Sequence, residues 1–192
     1  MKTDNEITVE VNTDLETLIK LIEKQGLILK ETYDINDIYL INKSEKTDDY
    51  LSMLNKCVLI RDILEEKDKR KLLTYKHKEY NSKKEIIKQS EVTVKIDDIE
   101  KTKLLFENLN FEELIRINDH MHVYANDTDE FVIQIVNNKH IYIEIETWCR
   151  YANKTYNSID EMKEVITKYS IPIKNNNYYA KKAEIELQET YK

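Results

Sequence analysis

Ile7-Thr8-Val9-Glu10-Val11 alternates apolar and polar side chains, and Glu91-Val92-Thr93-Val94-Lys95-Ile96 does so again in the second half of the chain. Successive strand residues point to opposite faces, so each stretch reads as a β-strand with one apolar and one polar face. A helix signal follows each strand. Thr13-Asp14-Leu15-Glu16 has the capping-box form, with Leu15, Leu18, Ile19 and Ile22 at helical spacing behind it and Gly26 where a C′ residue belongs. Asp97-Asp98 opens the second helix, which runs through Leu104, Leu105 and Leu109. Strands follow in both cases, so the chain reads as two halves of related plan.

Working outward, extended segments lie at residues 27–32 and 38–41, followed by a polar loop and then by strands at 58–64 and 71–76. Further strands fall at 114–117, 121–125, 131–136 and 141–147. Ser158-Ile159-Asp160-Glu161 repeats the capping-box form ahead of Met162, Val165 and Ile166, which predicts a third helix ending near Tyr169. Beyond Pro172, residues 178–191 read as a short terminal helix. With about eight or nine strands, closure into a barrel would remove exposed edges. The expectation is an α+β fold: an antiparallel β-barrel of about eight strands, closed or nearly closed, with helices packed outside. Residues 1–192 form a single domain in this reading, with 158–192 a C-terminal helical segment packed on the barrel.

Composition bounds the function. At 192 residues with 41% hydrophobic side chains in short periodic groups, the chain can bury a core. A net charge of -7 argues against a nucleic-acid partner, whose phosphates call for a basic excess. Residues 1–10 contain no apolar leader core, and no window is apolar enough to span a membrane, so the expected location is cytoplasmic. Cys57 and Cys149 lack metal-site spacing and read as buried free thiols. A single Gly leaves turns to Asn, Asp, Lys and Ser and excludes Gly-rich phosphate loops. The lysine-rich stretch 67–88 reads as a solvated hairpin. His120 and His122 lack a third ligand, and Trp148 reads as a packing anchor.

Alternation places Glu6, Thr8 and Glu10 on one face of the first strand, Arg61 on a middle strand, and Thr74 with Lys76 on the next. Glu91, Thr93 and Lys95 share a face of the second opening strand, and Glu144 and Glu146 stand near the end. Carboxylates suit hard Mg²⁺ or Mn²⁺, and Lys or Arg neutralises phosphate. Periodicity by itself far more often marks the wet face of an antiparallel sheet than a catalytic tunnel.

The ordered pattern resembles the CYTH family, which includes class IV adenylyl cyclases, thiamine triphosphatases and inorganic tripolyphosphatases. Glu6-Ile7-Thr8-Val9-Glu10 is similar to its opening E-x-E-x-K strand, Asp37-Ile38-Tyr39-Leu40 to D-x-Y-F, and Val58-Leu59-Ile60-Arg61 to L-R-I-R. Leu73-Thr74-Tyr75-Lys76 resembles L-T-x-K, and Gln89-Ser90-Glu91-Val92-Thr93 stands where R-x-E-x-E is expected. Asn110-Phe111 resembles a Gly-Phe pair, Ile143-Glu144-Ile145-Glu146 the closing E-I-E strand, and Asn177-Tyr178-Tyr179 the terminal S-Y motif. The resemblance implies a triphosphate tunnel holding Mg²⁺ or Mn²⁺ on Glu6, Glu10, Glu91, Glu144 and Glu146, and phosphates on Arg61, Lys76, Lys95 and Arg116.

Departures cluster in the charged positions. Thr8 replaces the second opening acid, Glu10 the lysine, Leu59 the first arginine, and Gln89 and Thr93 two members of R-x-E-x-E. Asp119 and Met121 fall at the K-x-R positions, with Arg116 a shifted substitute, and Gln134 stands near a late metal-binding aspartate. Each lost charge-assisted contact costs about 1.5–3 kcal/mol. The resemblance therefore implies a divergent member that binds a phosphorylated or anionic small ligand with weak or lost triphosphate chemistry. Alternatives are an active metal-dependent triphosphatase or class IV-type adenylyl cyclase, and a non-catalytic protein-interaction scaffold. A homodimer is compatible with each.

Overall fold

The structure is a computed structural model that describes residues 6–66, 68–80 and 86–191. Lys67 and residues 81–85 of the lysine-rich stretch, and residues 1–5 of the leader reading, lie outside the described residues. In chain order the elements are β1 (Glu6–Glu10), α1 (Leu15–Glu23), β2 (Ile28–Asn42), a 3₁₀ turn (Lys43–Glu45), α2 (Tyr50–Lys56), β3 (Val58–Leu64), β4 (Lys69–Tyr80) and β5 (Ile86–Lys95). Then come α3 (Ile99–Asn108), β6 (Phe111–Ala125), β7 (Glu130–Val136), β8 (His140–Glu146), α4 (Ile159–Lys168) and α5 (Lys182–Thr190).

The eight strands form one antiparallel sheet in the order β1-β8-β7-β6-β2-β3-β4-β5. Among the described residues β1 and β5 are its ends, and no strand pairing joins them. The expected α+β class and strand number hold, and of the two alternatives, closed or nearly closed, full closure by hydrogen bonds is ruled out among the described residues. Two further corrections concern length. Segments 27–32 and 38–41 belong to the single strand β2, and 114–117 and 121–125 to the single strand β6. The intervening polar residues do not break the strands: Asp34, Asn118 and His120 are exposed on them, whereas Asp37 and Asp119 are buried. The expected polar loop after β2 contains α2, capped by Asp49, whose carboxylate accepts from Leu51 N at 3.1 Å and Ser52 N at 3.3 Å.

The chain divides into two compact units. In the first, the described residues up to Tyr33 combine with Asp119–Ala180. Ile7, Val9, Phe131, Ile133, Ile143 and Ile145 turn one sheet face toward Leu18 and Ile22 of α1 and Met162, Val165 and Ile166 of α4. Asp14, rather than the expected Thr13, caps α1, accepting from Thr17 N at 2.9 Å. Ser158 caps α4 as its motif predicts, while Glu161 reaches back to Asn157 N at 2.8 Å. Asp129 and Glu130 end the β6–β7 turn: Asp129, 1% exposed, accepts from Tyr169 OH at 3.0 Å and pairs with Lys154 and Lys168. Glu130 accepts from the backbone N–H groups of Arg150, Tyr151 and Ala152.

The outer edge of β1 is covered within the same unit. Thr8 N donates to Tyr178 O at 3.0 Å, Ala180 N to Thr8 O at 3.0 Å, and Lys174 N to Glu10 O at 2.8 Å.

The second unit comprises Asp34–Asn118 and the residues from Lys181 onward. Its core is thinner: Ile38, Leu40 and Ile60 are buried, with Leu73, Ile96, Ile99, Phe106 and Phe111 packed against them. Phe106 and Phe111 meet edge to face at 5.1 Å. On α3, capped by Asp98, the packed residues are Ile99 and Phe106, whereas Leu104, Leu105 and Leu109, expected as the apolar face, are 57%, 58% and 57% exposed. The expected terminal segment 158–192 supplies α4 to the first unit and α5 to the second.

Turns follow the scarcity of Gly. Asn137 and Asn138 adopt positive φ (49° and 56°) in the β7–β8 turn, and Asn110 (67°) and Ser170 (50°) do so after α3 and α4. Asn110 thus occupies in left-handed form the place where the family pattern has Gly. Cys57 is buried and Cys149 half-buried, both as free thiols, and Trp148 is 49% exposed rather than a buried anchor.

Candidate functional site

In the first unit, the β1–β8 register sets Glu6 opposite Glu146, Thr8 opposite Glu144 and Glu10 opposite Tyr142. Since Ile7, Val9, Ile143 and Ile145 face the core, these partners share the other side of the sheet. Carboxylate oxygens of Glu6, Glu144 and Glu146 all lie within 4.8 Å of one another. The Thr8 hydroxyl, in the place of the family's second acid, donates to Glu144 Oε2 at 3.5 Å. Ligands on a small divalent ion stand about 3–4 Å apart, so three hard oxygen donors at this separation fit Mg²⁺ or Mn²⁺.

Glu10 is engaged otherwise. Its carboxylate meets His140 Nδ1 at 3.2 Å and Lys174 Nζ at 2.8 Å, with its side chain 10% exposed. Where the resembling pattern has a lysine this chain has Glu10, and Lys174 of the same unit balances its charge with His140 beside it. Gln134 lies between Met121 and Tyr142 in the register, is 1% exposed, and carries a neutral amide where an acid is expected; its Oε1 has no hydrogen-bond partner among the described residues.

In the second unit, register gathers the expected cations. Arg61 stands between Asp37 and Leu72, Leu72 is opposite Lys95, and Lys76 is opposite Glu91. Alternation therefore puts Arg61, Lys76 and Lys95 on one face of β3, β4 and β5, opposite to the Ile60 and Leu73 core face. Thr74 and Thr93 pair between them, with their hydroxyls 2.9 Å apart. Leu59, 5% exposed, fills the lost arginine's place with an apolar side chain.

Acids already hold two of the three cations. Arg61 donates from Nε and Nη2 to the two oxygens of Asp37 at 2.8 and 2.7 Å, and Asp37 is only 3% exposed. Lys76 lies 3.2 Å from Glu91, which also accepts from the Thr93 hydroxyl at 2.7 Å. Burial raises the Glu91 pKa, but the Thr93 hydrogen bond and the charges of Lys76 and Arg61 outweigh it and leave the carboxyl below its ordinary value. Lys95 is exposed.

Arg116 is placed elsewhere. It forks onto Glu113 at 3.2 and 3.0 Å, and Lys103 of α3 reaches the same carboxylate at 2.8 Å. Hydrogen bonding to Arg116 leads the causes that hold Glu113 at about 2. Of the expected metal set, Glu6, Glu144 and Glu146 come together, Glu10 is diverted to His140 and Lys174, and Glu91 belongs to the second unit beside Lys76. His120 and His122 stack edge to face at 4.7 Å. Sequence reading missed the roles of Asp37, His140 and Lys174. An unbalanced Glu10 signals a compensating cation, but Lys174 lies 164 residues away.

No protein-family model matches the chain, and no curated protein matches it in sequence. Solved structures do. The PH1819 protein from Pyrococcus horikoshii superposes with a TM-score of 0.67 at 17% identity, covering 98% of this chain and 99% of that one. HpAC1 from Hippeastrum, a candidate adenylyl cyclase with dominant triphosphatase activity, gives 0.62 at 12% identity over 96% of this chain and 95% of its own. A chain of the Schizosaccharomyces pombe Mediator head module gives 0.55 at 11% identity over 87% and 94%. At such identities the likeness is one of fold, and this chain shares the fold of these structures, that of the candidate adenylyl cyclase with triphosphatase activity among them.

Proposed function

We propose that this chain binds a phosphorylated or otherwise anionic small molecule on the Arg61, Lys76 and Lys95 face of the second unit, with triphosphate chemistry weak or lost. The bidentate Arg61–Asp37 pair carries this reading. A phosphate approaching Arg61 competes with a carboxylate that is buried and already in ideal fork geometry. Asp37 and Glu91 offset two of these three cations, so Arg61, Lys76 and Lys95 together keep one uncompensated positive charge toward a ligand that carries several negative ones. That balance supports selective capture of a small anion and opposes the charge neutralisation that triphosphate cleavage requires.

A divalent ion, Mg²⁺ or Mn²⁺, suits Glu6, Glu144 and Glu146 of the first unit, and when bound it supplies Lewis-acid polarisation of a phosphate oxygen. Thr8 orients Glu144 there, and His140 and Lys174 hold Glu10 away from the cluster. Mn²⁺ alone, followed by electron paramagnetic resonance, tests this set: Glu144→Gln should lose the bound-ion signal.

Calorimetric titration of tripolyphosphate, with and without Mn²⁺, tests the main reading. Saturable binding without continuing heat of turnover, lost in the Lys76→Ala/Lys95→Ala double variant, is the expected result. Sustained heat with phosphate release would establish an active triphosphatase instead, and pyrophosphate release from ATP a cyclase. Absence of any binding would favour the scaffold reading, which the Mediator likeness and the internally paired cations support.

A further inference from the structure

The two ends of the sheet are finished differently. Residues 174–180 bond along the outer edge of β1, whereas β5 ends the strand order with every residue from Ser90 to Lys95 exposed. Val92 and Val94 are 65% and 49% exposed, and Tyr75, opposite Val92 on β4, is 41% exposed. An edge strand of this kind presents a row of backbone donors and acceptors beside an apolar strip.

We propose that β5 pairs with β5 of a second copy of this chain, antiparallel and centred on Thr93, to form a two-fold symmetric dimer. The charge pattern selects the occupant and the register. With Thr93 opposite Thr93, Glu91 of each copy faces Lys95 of the other, and Val92 faces Val94. Both charge pairs are then favourable, and the exposed valines cover one another on the opposite face. Parallel pairing in register sets Glu91 on Glu91 and Lys95 on Lys95. Moving the antiparallel centre to Val92 or Val94 leaves both charges without opposite partners. A lone edge Lys ordinarily discourages strand addition. Here Glu91, equally far on the other side of Thr93, turns Lys95 into a register selector. Lys76 and Thr93 keep Glu91 in place, so its carboxylate is preset to receive the second lysine. The strip is short, so the dimer is weak, with a Kd about micromolar.

The full chain should change from monomer to dimer mass with rising concentration in light scattering after gel filtration. Lys95→Glu makes both symmetry-related pairs repulsive and should raise Kd about tenfold. The reciprocal Glu91→Lys change added to it should restore dimerisation, a rescue that simple damage to the strand would not give. Crosslinking provides a second test in a Cys149→Ser background. Thr93→Cys should be joined efficiently by a short bis-maleimide, whereas Ser90→Cys should not, because its two copies lie about 20 Å apart along the paired strands. A wild-type monomer at all concentrations overturns the proposal. So does a dimer indifferent to Lys95→Glu, or one that crosslinks through residue 90 in preference to 93.

Discussion

Each unit contains a strand followed by an Asp-capped helix, β1 with α1 in the first and β5 with α3 in the second, yet the helices do unequal work. In the first unit α1 buries Leu18 and Ile22 and, with α4, covers a continuous layer of strand side chains. In the second, no residue of α3 is fully buried, and its two leucines and the C-cap Leu109 face solvent. The same local plan thus yields a well-covered sheet in one place and a lightly covered one in the other. Stability concentrates where the helix stripe matches the strand stripe, and the thinner unit carries the exposed charge and the open edge.

Truncation of the first core should break this contrast most forcefully. Ile143→Ala, at a fully buried position of the core that α1 and α4 share, should cost about 3–5 kcal/mol in urea unfolding, and Ile60→Ala in the smaller core about 2–3 kcal/mol. Equal losses would show that the two cores are equally tight.

Asp129→Asn should cost about 2–3 kcal/mol, since it leaves Lys154 and Lys168 without their shared buried acid. Burial raises the Asp129 pKa, but hydrogen bonds from Lys168 and Tyr169 and the charge of Lys168 outweigh it and hold the carboxyl at about 2. Its folded value lies below the ordinary carboxylate value of 3.8, so its contribution is present above that pH and is lost as pH falls toward about 2. An acid titration of stability should flatten over this window in the variant.

Asp37→Asn sharpens the comparison from the other side. Releasing the Arg61 guanidinium should cost about 1–2 kcal/mol of stability while tightening tripolyphosphate binding about tenfold by calorimetry. Unchanged affinity would mean that Arg61 does not meet the ligand. Caps come lower: Ser158→Ala should cost about 1 kcal/mol. Leu105→Ser on the exposed side of α3 should change stability by less than about 0.5 kcal/mol.

Strands and capped helices were legible because their signals are local. The Ile7–Val11 alternation and the Ser158 motif required nothing beyond their own residues. Helix α2 escaped because seven residues are too few to show a helical period. The Leu104, Leu105 and Leu109 stripe misled because leucines at helical spacing signal a face but not whether anything covers it. Most candidate acids and cations followed from strand alternation, and register brought Arg61, Lys76 and Lys95 together as alternation suggested. What stayed hidden was which charges cancel. Asp37 with Arg61, and Lys174 with Glu10, are tertiary pairs, and no spacing rule links residues brought together only by folding.

The left-handed turns at Asn110, Asn137, Asn138 and Ser170 bear on how a chain with one glycine folds at all. Each such residue costs about 1 kcal/mol in that conformation. Each also removes disorder from the unfolded chain that a glycine would add, an advantage of about 0.4–1 kcal/mol. The second offsets only part of the first, so these four turns hold a little strain that a glycine would relieve. Bends elsewhere made by a bare backbone are here made by side chains with hydrogen-bonding groups of their own, and the connections of this protein carry chemical identity where others carry only slack.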